Sequence, residues 1–156
     1  MPPLRVAAQI SPEWANVSKM RLQVSRALGA ESEAIRDATC MVVSELLENA
    51  VKYGGAIPGT ERVEFALEID DGVIEVRVTS GASGGEHVVR LAQRIKEVNE
   101  ASCIGILYLQ RFHELLNDPN QSGGLGIYRI CVEGGFKLSV QQEGNVLAVV
   151  AKRNTE

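Results

Sequence analysis

Glu31-Ser-Glu-Ala-Ile-Arg-Asp-Ala-Thr-Cys-Met-Val-Val-Ser-Glu-Leu-Leu-Glu-Asn-Ala-Val-Lys-Tyr53, followed by Gly54-Gly55, is the stretch on which the fold turns. Apolar residues recur along it at helical spacing until the glycine pair stops the run, which predicts a long helix over 31–53. Projected at about 100° per residue, Ala38, Val42, Glu45, Asn49 and Lys52 share one side, with Ile35, Met41 and Leu46 nearby. The stripe begins apolar and ends polar. An acid, an amide and a base at i, i+4 and i+7, on a face that should pack against a sheet, are costly to bury unless they line a cavity or meet a partner. Periodicity alone leaves open the alternative that Glu45 and Lys52 form a solvated edge while Asn49 bonds a loop. Glu48 falls off the stripe, on the side expected to face solvent.

Working outward, residues 4–10 have strand character and end at Ser11-Pro12, a pair suited to a helix start. A helix over 13–28 follows and stops at Gly29. Beyond the long helix, segments 62–69 and 73–79 flank Asp70-Asp71-Gly72 and alternate apolar with charged residues, which predicts an antiparallel hairpin. Gly81-Ala-Ser-Gly-Gly85 is a break, followed by helices over 87–98 and 101–116 and a loop over 117–124. A short helix over 125–132 leads through Gly134-Gly135 into strands over 136–141 and 146–152, joined by Glu143-Gly-Asn145. No internal repeat or low-complexity segment is present. Because strands and helices are segregated instead of strictly alternating, the expected fold class is α+β: a two-layer sandwich, mostly antiparallel, with helices on one face.

The 156 residues suit a single domain spanning 1–156. Hydrophobic residues at 45% and charged residues at 23% are ordinary globular values, and mean hydropathy is −0.01. With 16 basic against 20 acidic residues the net charge is −4, so nothing draws the whole surface towards nucleic acid or anionic lipid. Any phosphate binding must be local. At 4% aromatic residues, a stacking platform for single-stranded nucleic acid is disfavoured. Cys40, Cys103 and Cys131 are widely spaced and odd in number, which fits neither a disulfide framework nor a zinc site. They read as core residues in a reducing cytoplasm. No run approaches the roughly 18 apolar residues of a membrane span, and the N-terminus lacks an apolar signal core. Trp14 reads as a packing residue at the start of the first helix, with a partner contact as the alternative. His87 reads as a helix-start residue.

A second informative segment is Gln121-Ser-Gly-Gly-Leu-Gly-Ile-Tyr-Arg-Ile130, in which small residues run directly into a helix. Glycines let a backbone approach phosphate closely, and unpaired amides at a helix start attract anions, although such a start is commonly just a turn. It is not a GxxxxGK[ST] phosphate loop.

Taken together, Ser44-Glu-Leu-Leu-Glu-Asn-Ala-Val-Lys-Tyr-Gly54 and Gly123-Gly-Leu-Gly126 resemble the GHKL ATPase superfamily, the first segment matching its N box. Met20-Arg-Leu-Gln-Val-Ser-Arg26 through Val42-Val-Ser-Glu-Leu-Leu-Glu-Asn-Ala50 most resembles the small, stand-alone bacterial serine kinases of anti-sigma-factor type. The resemblance spans nearly the whole chain, with its specific portion at 20–54 and 122–138. It implies a Bergerat-type ATP-binding fold and Mg-ATP as cofactor. Glu45 would orient or deprotonate the attacking hydroxyl, Asn49 would hold magnesium through its amide oxygen, and Lys52 would lie near phosphate. Gly123, Gly124, Leu125 and Gly126 would cover the phosphate chain as part of a lid.

The superfamily's Asp-x-Gly-x-Gly box, whose Asp accepts from the adenine amino group, has no counterpart here. The strand runs into Val78-Thr-Ser-Gly-Ala-Ser-Gly-Gly85, and Ser80 is the candidate for the Asp position. The longer 86–116 region resembles a divergent branch of these kinases that phosphorylate small signalling partners. Such partners include STAS-domain anti-anti-sigma proteins and regulators of cyclic-di-GMP synthesis, with a sigma factor as a further possible partner. The family favours a homodimer. Phe112-His-Glu-Leu-Leu-Asn-Asp-Pro119 mimics the phosphoacceptor box of histidine kinases, but His113 lies inside the lid region and no dimerisation hairpin precedes the domain. A degenerate module that controls its partner by docking, without phosphoryl transfer, is the alternative function. A chaperone-like or DNA-repair ATPase is disfavoured because the chain has no room for transducer domains.

Overall fold

A computed structural model of the chain describes residues 2–82, 85–118 and 124–156. Its strands are β1 (Leu4–Ile10), β2 (Val63–Asp70), β3 (Val73–Gly81), β4 (Lys137–Glu143) and β5 (Val146–Asn154). The helices are α1 (Trp14–Ala27), α2 (Glu33–Asn49), α3 (Gly85–Glu100), α4 (Ile104–Asn117) and α5 (Leu125–Val132). The strands form one sheet in the order β1-β2-β3-β5-β4, with every neighbouring pair antiparallel. This is the expected α+β sandwich.

Register explains how one face of the sheet became the core. Val6 pairs with Leu67, Leu67 with Val76, Val76 with Ala151 and Ala151 with Leu138, so a continuous apolar row crosses all five strands. The adjoining row runs through Ala8, Phe65, Val78, Val149 and Val140. Side chains alternate faces along a strand, so the intervening positions point away from the helices. There the sheet carries cross-strand charge pairs instead, Arg5 with Glu68 and Lys152 with Glu75.

Against the apolar rows lie Val17, Met20 and Val24 of α1, Ile35, Val42, Val43, Leu46 and Leu47 of α2, and Ile127 and Ile130 of α5, all in the main core cluster. Ser32 caps α2, its side chain accepting from the Ile35 amide at 3.3 Å. Among the described residues, no helix is long and apolar enough to cross a membrane.

Three expectations are corrected here. The α-helix over 31–53 ends at Asn49, and Ala50–Gly54 winds as a π-helical turn closed by the Gly55 amide donating to the Ala50 carbonyl at 2.6 Å. Gly55, at φ +70° and ψ −168°, ends this turn in a positive-φ conformation open to glycine. Trp14 is 56% exposed, because it points about 90° away from the centre of the stripe formed by Val17, Met20 and Val24. Cys103 is exposed as the residue preceding α4, while Cys40 is buried and Cys131 half-buried.

Candidate functional site

Where α2 passes into the π-helical turn, the inner face of the sheet and helices α3 and α5 enclose a cavity of about 140 Å3. Its floor is apolar, made by Leu46, Ala50, Val78, Ile127, Leu147 and Val149. Three sequence-predicted residues from distant parts of the chain reach it: Asn49, Ser80 and Gly124. Asn49 is the last α-helical residue of α2, and its side chain makes no hydrogen bond among the described residues. Its amide oxygen therefore keeps both lone pairs for a ligand.

Ser80 arrives by strand alternation. It follows Ile74, Val76 and Val78 on the inward side of β3, pairs with Leu147 and is 5% exposed. Its hydroxyl donates only a long 3.5 Å bond to the Gly81 carbonyl. Gly54 makes room for it, since a Cβ there would lie 2.5 Å from Ser80 Oγ and 2.9 Å from the Gly81 oxygen. Gly124, at φ +92°, precedes α5, and a Cβ on it would collide with the Arg94 guanidinium. The glycine is thus required both by its conformation and by the arginine lying across it.

Glu45 lies outside the lining of this cavity, at the contact between α2 and α5. Its Oε1 accepts from Arg129 Nη1 at 2.9 Å, while Arg129 Nε donates to Glu133 at 2.8 Å. Gly126 allows this close approach, because a Cβ there would run into Glu45 Oε2. Burial pushes the Glu45 carboxyl above the usual carboxylate range, Glu48 adds to the rise, Arg129 opposes it and Glu133 reinforces it. One guanidinium shared between two carboxylates does not cancel the desolvation. Arg129 itself is pushed up, chiefly by its hydrogen bond to Glu133.

Lys52 is exposed, with its ammonium 5.1 Å from the centre of the Tyr53 ring, and is not part of the cavity lining. The π-helical winding accounts for this: residues after Asn49 leave the 3.6-residue repeat, and Tyr53 takes the inward position beside Asn49 and Ala50. Leu125 is half-buried at the first position of α5 and lines no described part of the cavity. Gly123 lies outside the described residues.

Reading along the sequence missed Tyr53, His87, Arg90, Arg94 and Arg129. The first four rim the cavity, with the Tyr53 and His87 rings 4.7 Å apart between the π-helical turn and α3. Arg90 and Arg94 were visible only as charges one turn apart on an amphipathic helix, with nothing to connect them to Gly124.

An apolar pocket of about 150 Å3 admits a benzene-sized group, so this cavity suits one planar ring system with the rest of a ligand extending towards its basic rim. The residues present fit a nucleotide in that sense. For magnesium, Asn49 offers one amide oxygen, and no cluster of three or more His, Cys, Asp or Glu side chains occurs among the described residues. That fits an ion held largely by phosphates and water. Comparison with known protein families and with curated proteins gives no match.

Proposed function

We propose that the chain is a GHKL-type bacterial signalling kinase that binds Mg-ATP in this cavity and phosphorylates a serine or threonine of a small regulatory partner. The observation that supports the reading is the convergence of Asn49, Ser80 and Gly124 on one apolar cavity with a basic rim. ATP would supply the phosphoryl group, and the Asn49 amide oxygen would help hold a magnesium ion that neutralises phosphate charge. Ser80 would accept from the base's exocyclic amine in place of the missing acid. Glu45 would orient the partner hydroxyl and take its proton as the new O–P bond forms and the bond to the departing diphosphate breaks.

The partner would be a STAS-domain anti-anti-sigma protein or a similar signalling protein, such as a sigma factor, and the kinase a cytoplasmic homodimer. Lys52 and Gly123 to Gly126 belong to this reading as phosphate-side residues. The Glu45–Arg129 ion pair favours a second reading, a docking module without transfer, because a carboxylate held at 2.9 Å by a guanidinium is not free to act as a base.

Labelled ATP incubated with candidate partners separates the two. The kinase reading expects transfer that Glu45→Gln reduces by about a hundredfold or more while nucleotide binding stays near normal. Full transfer by Glu45→Gln would remove Glu45 from catalysis. Tight partner binding with no transfer by the parent would favour the docking module.

A further inference from the structure

The lining of the candidate nucleotide cavity is electrostatically one-sided. Among the described residues it carries Arg90 and Arg94 and no carboxylate, in a chain whose net charge is −4. Both arginines come from α3, four residues apart and hence on one face.

Arg94 is half-buried and makes no salt bridge among the described residues, while its guanidinium rests against Gly124. Holding a guanidinium partly out of water without a counter-ion is costly, and an arriving anion offsets that cost. Arg90 bonds Glu86 at 2.7 Å, but both side chains are largely exposed, so the pair is weak and readily exchanged for a better acceptor.

On its other side Arg94 borders a second cavity between α3 and α4, where Glu97 and Glu114 stand beside Arg111 and Tyr128. Those carboxylates disfavour an anion there. The acid-free side is the one with the apolar floor, so an anion bound by Arg94 is the charged end of a ligand whose planar end occupies that floor. Guanidinium forks match phosphate oxygens in pairs, which selects phosphate over a point-like anion.

We infer that Arg94, seconded by Arg90, is the group of this cavity that holds the phosphate end of its ligand. This rests on the nucleotide reading above. The test is calorimetric titration of the parent, Arg94→Ala and Arg94→Lys with adenosine, ADP, ATP and inorganic pyrophosphate. The parent should bind ADP and ATP more tightly than adenosine. Arg94→Ala should weaken ADP and ATP by about 10- to 100-fold while leaving adenosine within about twofold. Arg94→Lys, which keeps the charge but loses the fork, should fall between.

Unchanged ATP affinity in Arg94→Ala would overturn the assignment, as would an equal loss for adenosine and ATP, which would make Arg94 a structural residue. If the parent binds adenosine but ATP no more tightly, the phosphate assignment fails and the base site stands. If it binds pyrophosphate through Arg94 but no adenosine, the anion site stands and the nucleotide reading fails. Binding of none of the four overturns both.

Discussion

Gly81→Ala should be the most damaging one-carbon change near the cavity, and the size of the damage follows from what the added methyl would meet. Gly81 ends β3 beside Ser80, and its amide donates to the Gly55 carbonyl at 3.0 Å, tying the sheet to the end of the π-helical turn. A Cβ here would collide with the Ala56 carbonyl oxygen and lie 3.0 Å from that of Gly54. Both obstacles are backbone atoms, so no side-chain rotation relieves them.

The segment from Gly54 to Ala56 must retreat, with overpacking strain of about 1–3 kcal/mol and loss of a backbone hydrogen bond of about 1 kcal/mol. The sum, about 2–4 kcal/mol, corresponds to a fall in Tm of roughly 4–16 °C for a chain of this length. Urea unfolding followed by far-UV circular dichroism measures it directly. Gly85→Ala is the control: it begins α3 with no heavy atom of the described residues within 4 Å of the added carbon, so its stability should be unchanged or slightly raised. If Gly81→Ala unfolds within about 0.5 kcal/mol of the parent, typical of an inconsequential surface change, the close crossing of β3 and the turn is wrong.

Asn49→Ala should abolish the magnesium-dependent part of nucleotide binding while the urea midpoint stays close to the parent's, because no hydrogen bond among the described residues is lost; ADP titration with and without magnesium checks it, and undiminished magnesium dependence refutes it. Burial raises the Glu45 carboxyl in the folded state, so the folded chain holds a proton that the unfolded chain has already released, and stability falls as pH rises through that window. Glu45→Gln removes this contribution, and unfolding midpoints measured from roughly pH 4 to 7 should decline less steeply than the parent's; equal slopes would refute it. Iodoacetamide at pH near 8 should label Cys103 first and leave Cys131 untouched, since Cys103 is exposed whereas burial pushes the Cys131 thiol up to about 11. Peptide mass spectrometry after brief labelling reads the order, and early modification of Cys131 would contradict it.

The layers of the fold were legible because each rests on a local period. Alternation in β2 and β3 marked the hairpin, whereas Ser80 was reached only through the family resemblance and lies inward because β3 carries the alternation past Thr79 to Gly81. The polar end of the α2 stripe likewise brought Asn49 to a cavity. Periodicity failed at Lys52, because a repeat of 3.6 residues cannot anticipate that the chain unwinds into a π-helical turn at Ala50 and presents Tyr53 instead. The partners of Glu45 and Gly124 were illegible for another reason. Arg129 is 84 residues from Glu45 in sequence, and Arg94 meets Gly124 only after α3 and α5 are packed. Contacts of that kind are set by the assembled layers, whereas the stripe and the hairpin are set by neighbouring residues.

Trp14, the chain's one tryptophan, stands mostly in solvent at the first position of α1 and lines neither cavity. Its emission is therefore a spectator of anything that enters between α2 and α3, and a witness to anything that settles on the outer side of α1. An ordinary fluorimeter can thus sort the molecule's encounters by location: a small ligand passes unseen, and a macromolecule on α1 shifts the spectrum. The chain carries its own optical tag outside both cavities.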